Sequence, residues 1–386
     1  MAGPLDGIRI LEIAGMGPAP FCAMMLADLG AEVLRIDRAA GGAAFFPVAP
    51  EKDVLNRGRR SVAIDLKSAD GVAAVLDLAA RADGLIEGFR PGVMERLGLG
   101  PEACWSRNPA LVFGRMTGWG QTGPRASMAG HDIDYIALSG ALGAVGRSGE
   151  KPVPPLNMVG DYGGGAMLLA VGMLAGLLEA RTSGQGQVVD TAMTEGSALL
   201  MAPVFGYAAM GLWRNARGQN LLDGGCPFYD SYETSDGGFM AVGALEPGFF
   251  AELVRLLDVA DHDAVTAQYN PKTWPAMRAL FTETFKARTR AQWTELFDGT
   301  DACVTPILSF EEAPQDPHNC ARGSFVSVGG IDQPAPAPRF SRTPAATPSP
   351  GAKPGAHSRD ALADWGIEAQ RIDDLISKGA VRAGPS

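Results

Sequence analysis

Histidine is scarce in this chain of 386 residues: only four occur, at positions 131, 262, 318 and 357. Cysteine is nearly as scarce, with five (Cys22, Cys104, Cys226, Cys303, Cys320) spread far apart and no C-x-x-C pair. In a chain this long, that usage excludes a disulfide-stapled scaffold and points to reduced thiols in a cytoplasmic compartment. Basic residues are the minority, 33 against 43 acidic ones for a net charge of −10. That balance excludes the dominant basic surface of a general nucleic-acid binder, though not a local cationic pocket. HExxH, GxSxG and the Walker P-loop are all missing, and no Gly-Lys dipeptide occurs anywhere. The hydrophobic runs are short: Gly163 to Leu178 is stopped by Glu179 and Arg181, and Ser197 to Trp213 by Arg214. Each falls below the ~20 residues of a bilayer span, so helices buried in a core or subunit interface are expected instead of membrane insertion. The opening residues enter a strand-like run without the basic-then-apolar order of a secretory signal.

What the chain has in excess is glycine (50) and proline (28), within 46% apolar and 20% charged content. This is the composition of a folded protein with a large core, and the glycines lack a collagen period. Ile8 to Ala14 reads as a strand, Gly15 to Pro20 as a turn opening a helix from Phe21 to Leu29, and Val33 to Ile36 as a second strand. This β-α-β unit is continued by strands at Ser61 to Leu66, Gly84 to Glu87 and Ala110 to Met116, giving an α/β N-terminal part. Two long apolar helices then flank a strand-like Gln187 to Asp190. Mixed texture returns from about Asp223, with a strand at Phe239 to Gly243 and helix over Pro271 to Phe297. Seven prolines between Pro334 and Pro354 impose an extended connector, and Ser358 to Lys378 forms a closing helix or two broken at Gly366.

Gly15-x-Gly17-x-x-Pro20, with Asp37 downstream, mimics a dinucleotide fingerprint. The third glycine is absent and two prolines add bulk, so a tight strand-to-helix turn is the better reading. Between residues 35 and 96, ten Arg and Lys face nine Asp and Glu. In so acidic a protein this favours an anionic ligand there, because guanidinium groups suit phosphate. Among the histidines only His131, in Gly130-His-Asp-Ile-Asp-Tyr135, has a distinctive context. Asp161 opens an apolar helix as Val159-Gly-Asp-Tyr-Gly-Gly-Gly165, where an aspartate is ordinarily a cap. The spacing of His131, Asp132, Asp134 and Asp161 matches no standard zinc pattern.

Several of these segments carry a resemblance. They are Pro4 to Glu12, Leu29 to Arg38, Asp83 to Gly98, Arg115 to Pro124, Gly130 to Tyr135, Pro154 to Gly165, Gly184 to Asp190 and Leu222 to Tyr229. From residue 4 to about 342 the chain resembles the α-methylacyl-CoA racemases of the family III CoA-transferase (CaiB/BaiF-like) superfamily. The resemblance implies an α/β fold, with a Rossmann-like large domain, a smaller α+β domain joined by linker helices, and an interlocked homodimer. Expected boundaries are 1–190 for the large CoA-binding domain, 191–222 for a linker helix, 223–304 for the small domain, and 305–386 for the return linker and the rest of the large domain. It further implies an acyl-CoA substrate, with CoA part of that substrate and no metal or redox cofactor. His131 and Asp161 match the family's acid/base residues, and Glu246 a carboxylate that supports the histidine from the partner subunit. The CoA-contact positions map onto Arg38, Ile64, Asp65, Leu66, Lys67, Gly88, Phe89, Arg90, Arg96, Gly130, Asp132, Ile133, Asp134 and Tyr135.

Racemisation beside a carbonyl needs one group on each face of the enolate, one accepting a proton while the other donates. The pair must have close proton affinities. A helix N-terminus favours the Asp161 carboxylate while burial disfavours it, and Glu246 favours the imidazolium, so an imidazolium–carboxylate pair is expected at rest. Backbone N–H groups at the start of the Asp161 helix are the expected oxyanion donors, with the Gly163 to Gly165 run admitting the thioester. The rival reading is a CoA-transferase using Asp161 as nucleophile.

Overall fold

The computed structural model describes residues 3–40 and 49–384. The short runs rich in Ile, Val and Leu become parallel strands: β1 (Arg9–Ile13), β2 (Glu32–Arg38), β3 (Arg60–Ile64), β4 (Gly84–Glu87), β5 (Val112–Thr117) and β6 (Val188–Ala192). Their order is β3-β2-β1-β4-β5-β6, and a seventh strand, Val381–Arg382, runs antiparallel along the outer edge of β3. Because β1 is central and covered on both faces, its apolar run is continuous. Alternate residues serve opposite layers. Leu11 and Ile13 pack with Leu34, Ile36, Val62 and the helices Ala69–Ala79, Ser358–Asp364 and Ala369–Ser377. Ile8 and Ile10 pack with the helices Pro18–Asp28 and Leu168–Ser183.

The chain divides into two units. The larger gathers Met1–Ser139, Leu156–Leu200 and Pro317–Ser386; the smaller holds Gly140–Pro155 and Met201–Asp316. The smaller carries an antiparallel sheet of β7 (Tyr229–Glu233), β8 (Phe239–Gly243) and β9 (Val304–Pro306). Helices Pro247–Leu256, Trp274–Phe285 and Arg290–Phe297 close it around an aromatic core of Phe228, Phe281, Phe285, Trp293 and Phe297.

Three elements differ from the sequence reading. The first helix starts at Pro18, not Phe21, because proline with its fixed φ is at home in the first turn. The apolar stretch from Ser197 is two helices, Met193–Leu200 and Ala202–Ala209, with Pro203 in the first turn of the second. Helix from Met158 to Ser183 is continuous for 26 residues, long and apolar enough by composition to cross a membrane. The shorter apolar count missed its first turns, which are polar and glycine-rich. Leu169, Ala170, Met173 and Leu177 of that helix are buried against the sheet, whereas Met167, Val171 and Leu178 are exposed. The proline-rich segment after Pro334 has no helix or strand before Ser358. It is tied to the large unit where Arg35 donates to the Ala352 carbonyl (3.1 Å) and Gly58 N–H to that of Ser349 (2.9 Å).

Candidate active site

In an open parallel sheet, ligands bind beyond the C-terminal strand ends where the strand order reverses. Here that point lies between β1 and β4. A cavity of about 240 Å³ sits there, lined by Met16 and Pro18 after β1, Gly88 to Pro91 after β4, and Met116 to Trp119 at the end of β5. Ala126, Met128 to His131, Tyr135 and Met193 complete the wall. A larger hollow, about 690 Å³, opens at the opposite edge, but its Arg9, Glu32, Arg60 and Asp364 are already paired with one another.

His131 is the N-cap of the helix Asp132–Leu138. Its N–H donates to the Asp134 carboxylate (2.9 Å) and its carbonyl accepts from Asp134 N–H (2.9 Å), which pins the backbone. Tyr135, one turn on, is buried edge-on against Trp119, and its hydroxyl donates to the Gly130 carbonyl. The exposed imidazole is thus presented to the cavity from a rigid turn.

Asp161 lies in the first turn after the N-cap Asn157, within a π-helical segment, Met158–Met167. The wide turn follows from packing. Gly164 is buried where a Cβ would come within 2.5 Å of Ser197 N, so backbone meets backbone between this segment and the helix Met193–Leu200. Gly164 therefore serves helix contact. Asn157 donates its amide to the Asp161 carboxylate (2.8 Å). Gly17, at φ +70°, leaves the space that Asp161 needs: a Cβ there would lie 3.3 Å from Asp161 Oδ2. That glycine, read above as part of a weak fingerprint, makes room for a carboxylate.

Burial raises the Asp161 carboxyl above its ordinary range; the Asn157 bond and the charge of His131 pull it back only in part. Burial thus opposes the stabilisation of a carboxylate expected at a helix N-terminus. Asp132 is also raised, first by burial and then by the charge of Asp161. Its buried carboxylate accepts from Gly160 N–H (3.0 Å), so it occupies a donor expected to be free for an oxyanion.

The other expected contacts divide by place. Gly88, Phe89, Arg90, Gly130 and Tyr135 share the cavity with His131. Arg38 is exposed at the end of β2, and Asp65, Leu66 and Lys67 follow the end of β3 on the same edge. Ile64 is fully buried in the core, so its side chain is unavailable to a ligand. Ile133 is exposed, Asp134 is engaged with His131, and Arg96 is exposed on the short helix Val93–Arg96. Glu246 belongs to the smaller unit, exposed at the N-cap of the helix Pro247–Leu256. The local excess of basic residues is partly spent internally: Arg35 pairs with Asp37, Arg57 with Asp28, Arg59 with Glu12 and Arg60 with Glu32. Arg38, Lys67, Arg90 and Arg96 form no ion pair with another described residue and remain available to an anion. Among the described residues, no three His, Cys, Asp or Glu are grouped to hold a metal. Sequence reasoning missed Asn157 and the wall residues Met16, Trp119, Met128 and Met193; an Asn four residues before an Asp on a helix was the one available signal.

Comparison with known proteins then fixes the family. The model of CoA-transferase family III matches residues 5–358. The chain belongs to that family. It is 46% identical over 382 residues to the α-methylacyl-CoA racemase of Mus musculus, covering 98% of each chain. Identity to the human α-methylacyl-CoA racemase is 44% over 387 residues, covering 98% of this chain and 99% of that one. Among solved structures, a CAIB/BAIF family protein from Brucella suis matches with a TM-score of 0.80 at 26% identity, over 95% of this chain and all of the other. The family's α/β fold, with its large parallel sheet, is the one described above.

Proposed function

We propose that the protein racemises 2-methylacyl-CoA thioesters by 1,1-proton transfer through an enolate, with His131 and Asp161 as the acid/base pair. One observation carries the reading. His131 lines the cavity at the switch point of the sheet, and Asp161 stands beside Gly17 after β1, near enough that the charge of His131 acts on it, in a chain 44–46% identical to racemases over nearly its full length.

The ligand would cross the C-terminal edge. β3 and β4 are three strand spacings apart, roughly 14 Å. Arg38 and Lys67 at the far end suit phosphates, and Arg90 and Arg96 lie nearer the reacting carbon. The methionines that line the cavity give a deformable apolar wall for the acyl chain. With Gly160 N–H taken by Asp132 and Asp134 N–H by the His131 carbonyl, the N–H groups of Asp132 and Ile133 at the start of the helix Asp132–Leu138 are the natural donors to the enolate oxygen. Removal of the α-proton by one group and delivery by the other inverts the centre and leaves the pair set for the opposite enantiomer. CoA travels with the substrate and no further cofactor is required. A homodimer would cover the exposed apolar side chains of the long helix and place Glu246 of one subunit behind His131 of the other. Five cysteines, none of them in a disulfide, suit a reducing, cytoplasmic compartment.

The test is incubation with a single enantiomer of a 2-methylacyl-CoA in D₂O without an acceptor acid. Expected is α-deuteration with loss of optical purity, reduced about 10²-fold or more in His131→Ala. Acyl transfer to an added free acid without α-exchange would instead assign Asp161 a nucleophilic role and overturn racemisation.

A further inference from the structure

Glu87 is the last residue of β4, and its side chain is 4% exposed. It lies immediately before Gly88 to Arg90, which line the cavity, yet it is not itself in the wall. One oxygen, Oε2, accepts the Phe89 N–H at 2.6 Å. The other, Oε1, faces Nε of Arg115 on β5 at 3.7 Å, and that buried Nε has no hydrogen-bond acceptor. The remaining arms of Arg115 are taken by Glu95 of the short helix Val93–Arg96 and by Gln121, whose N–H bonds Asp190 of β6 (3.2 Å). Two carboxylates, Glu87 and Glu95, therefore flank one guanidinium, and Glu87 is the more enclosed of them.

We propose that ionised Glu87 is the positioning residue of the CoA-binding segment Gly88–Arg90, so that its protonation loosens that segment and weakens CoA binding. The proposal rests on the reading of this segment as a CoA contact. Its geometry is direct. A proton on Oε2 would confront the Phe89 N–H donor, and a proton on Oε1 would confront the Arg115 guanidinium. Either way the chain from Arg115 through Glu87 to Phe89 is broken or loses its charge-assisted bond. The groups facing Glu87 set where this happens. Burial pushes its carboxyl up to about 7; Phe89 N–H and Arg115 oppose the rise, while Glu95 and Asp190 add to it. The segment is thus held by a carboxylate that gains its proton on mild acidification. Nothing in the proton-transfer step uses Glu87, so its effect belongs to binding.

The test compares CoA affinity by calorimetry for the wild type and Glu87→Gln between about pH 5.5 and 8.5. Gln keeps an acceptor for Phe89 N–H but cannot titrate. Titration of CoA's own phosphates is common to both proteins and cancels in the ratio. Expected is a wild-type affinity that falls about five-fold, relative to Glu87→Gln, as pH drops through about 7. In turnover assays at pH 8, Glu87→Ala should raise KM about ten-fold with a smaller change in kcat, and Gln, which keeps the acceptor for Phe89 N–H but turns its NH2 toward Arg115, should recover only part of the loss. Identical pH dependence in wild type and Glu87→Gln overturns the proposal, even if α-exchange proceeds normally. A wild type that binds no CoA at any pH overturns both this proposal and the functional reading beneath it. If Glu87→Ala does not fold, the Gln comparison decides alone.

Discussion

Gly17 shows how one residue can be read two ways and how the structure decides. In the sequence it is the second glycine of an incomplete phosphate-binding motif. In the fold it adopts φ +70° with Asp161 Oδ2 standing 3.3 Å from where a Cβ would be. Gly17→Ala thus meets two costs: left-handed backbone, worth ~1–2 kcal/mol for a residue with a side chain, and displacement of a carboxylate placed by Asn157. The variant should fold with a modestly lowered Tm, while its α-exchange rate falls at least ten-fold (order of magnitude for a misplaced acid/base group). Retained exchange at the wild-type rate would show that Asp161 does not need that space. His131 stood out in the sequence because histidine is rare here, whereas Asp161 read as an ordinary helix cap and took its expected role from the family resemblance alone. Asn157, Glu87 and the buried side of Ile64 were not legible: a lone Asn, Glu or Ile has the same local sequence context whether it faces ligand, solvent or core.

At the scale of elements, the strands were the most readable part, since a buried parallel sheet writes continuous apolar runs and short turns, whereas their order in the sheet came from the fold. The π-helical segment was invisible, because its register is set by backbone contact with the helix Met193–Leu200, which only the tertiary fold supplies. So was the support under the first helix. Arg59 and Glu12 form a wholly buried ion pair (2.6 Å), and Arg59 also donates to the Pro20 carbonyl (3.1 Å) in the first turn of the helix Pro18–Asp28. Burial raises Glu12 and lowers Arg59, against the attraction between them, so desolvation outweighs the pairing. The pair is then weak as a net stabiliser but costly to break. Arg59→Met alone should destabilise by about 3–5 kcal/mol, whereas Glu12→Leu with Arg59→Met should recover most of that loss in urea unfolding. The Pro20 carbonyl, left without its donor, accounts for the part not recovered. An additive double variant would mean that the two residues stabilise the fold independently.

At the scale of the whole chain, the large unit is assembled from three separate stretches, and its last stretch is where sequence reasoning stopped short. Ser358 to Lys378 looked like generic closing helices. In the fold, Ala361, Leu362, Trp365, Ile372, Leu375 and Val381 are buried in the same core as Leu11, Leu34 and Val62, and Trp365 is fully enclosed. The final strand also covers the edge of β3, where Val381 pairs with Ile64. Buried apolar side chains of this size contribute about 1.5–3 kcal/mol each, and a domain's net stability is only about 5–15 kcal/mol. Removing the chain beyond Pro354 therefore takes away more than the large unit has in reserve, and also opens an edge strand to pairing with other chains. The truncated protein should lack a cooperative thermal transition for the large unit, aggregate on concentration, and show no α-exchange. Adding the missing segment back as a separate chain, in excess, should restore part of the transition, because the β3 edge and the hydrophobic seat of Trp365 form a preshaped receptor. A truncated protein that melted cooperatively and kept its activity would mean that these helices cover the core without being needed to close it.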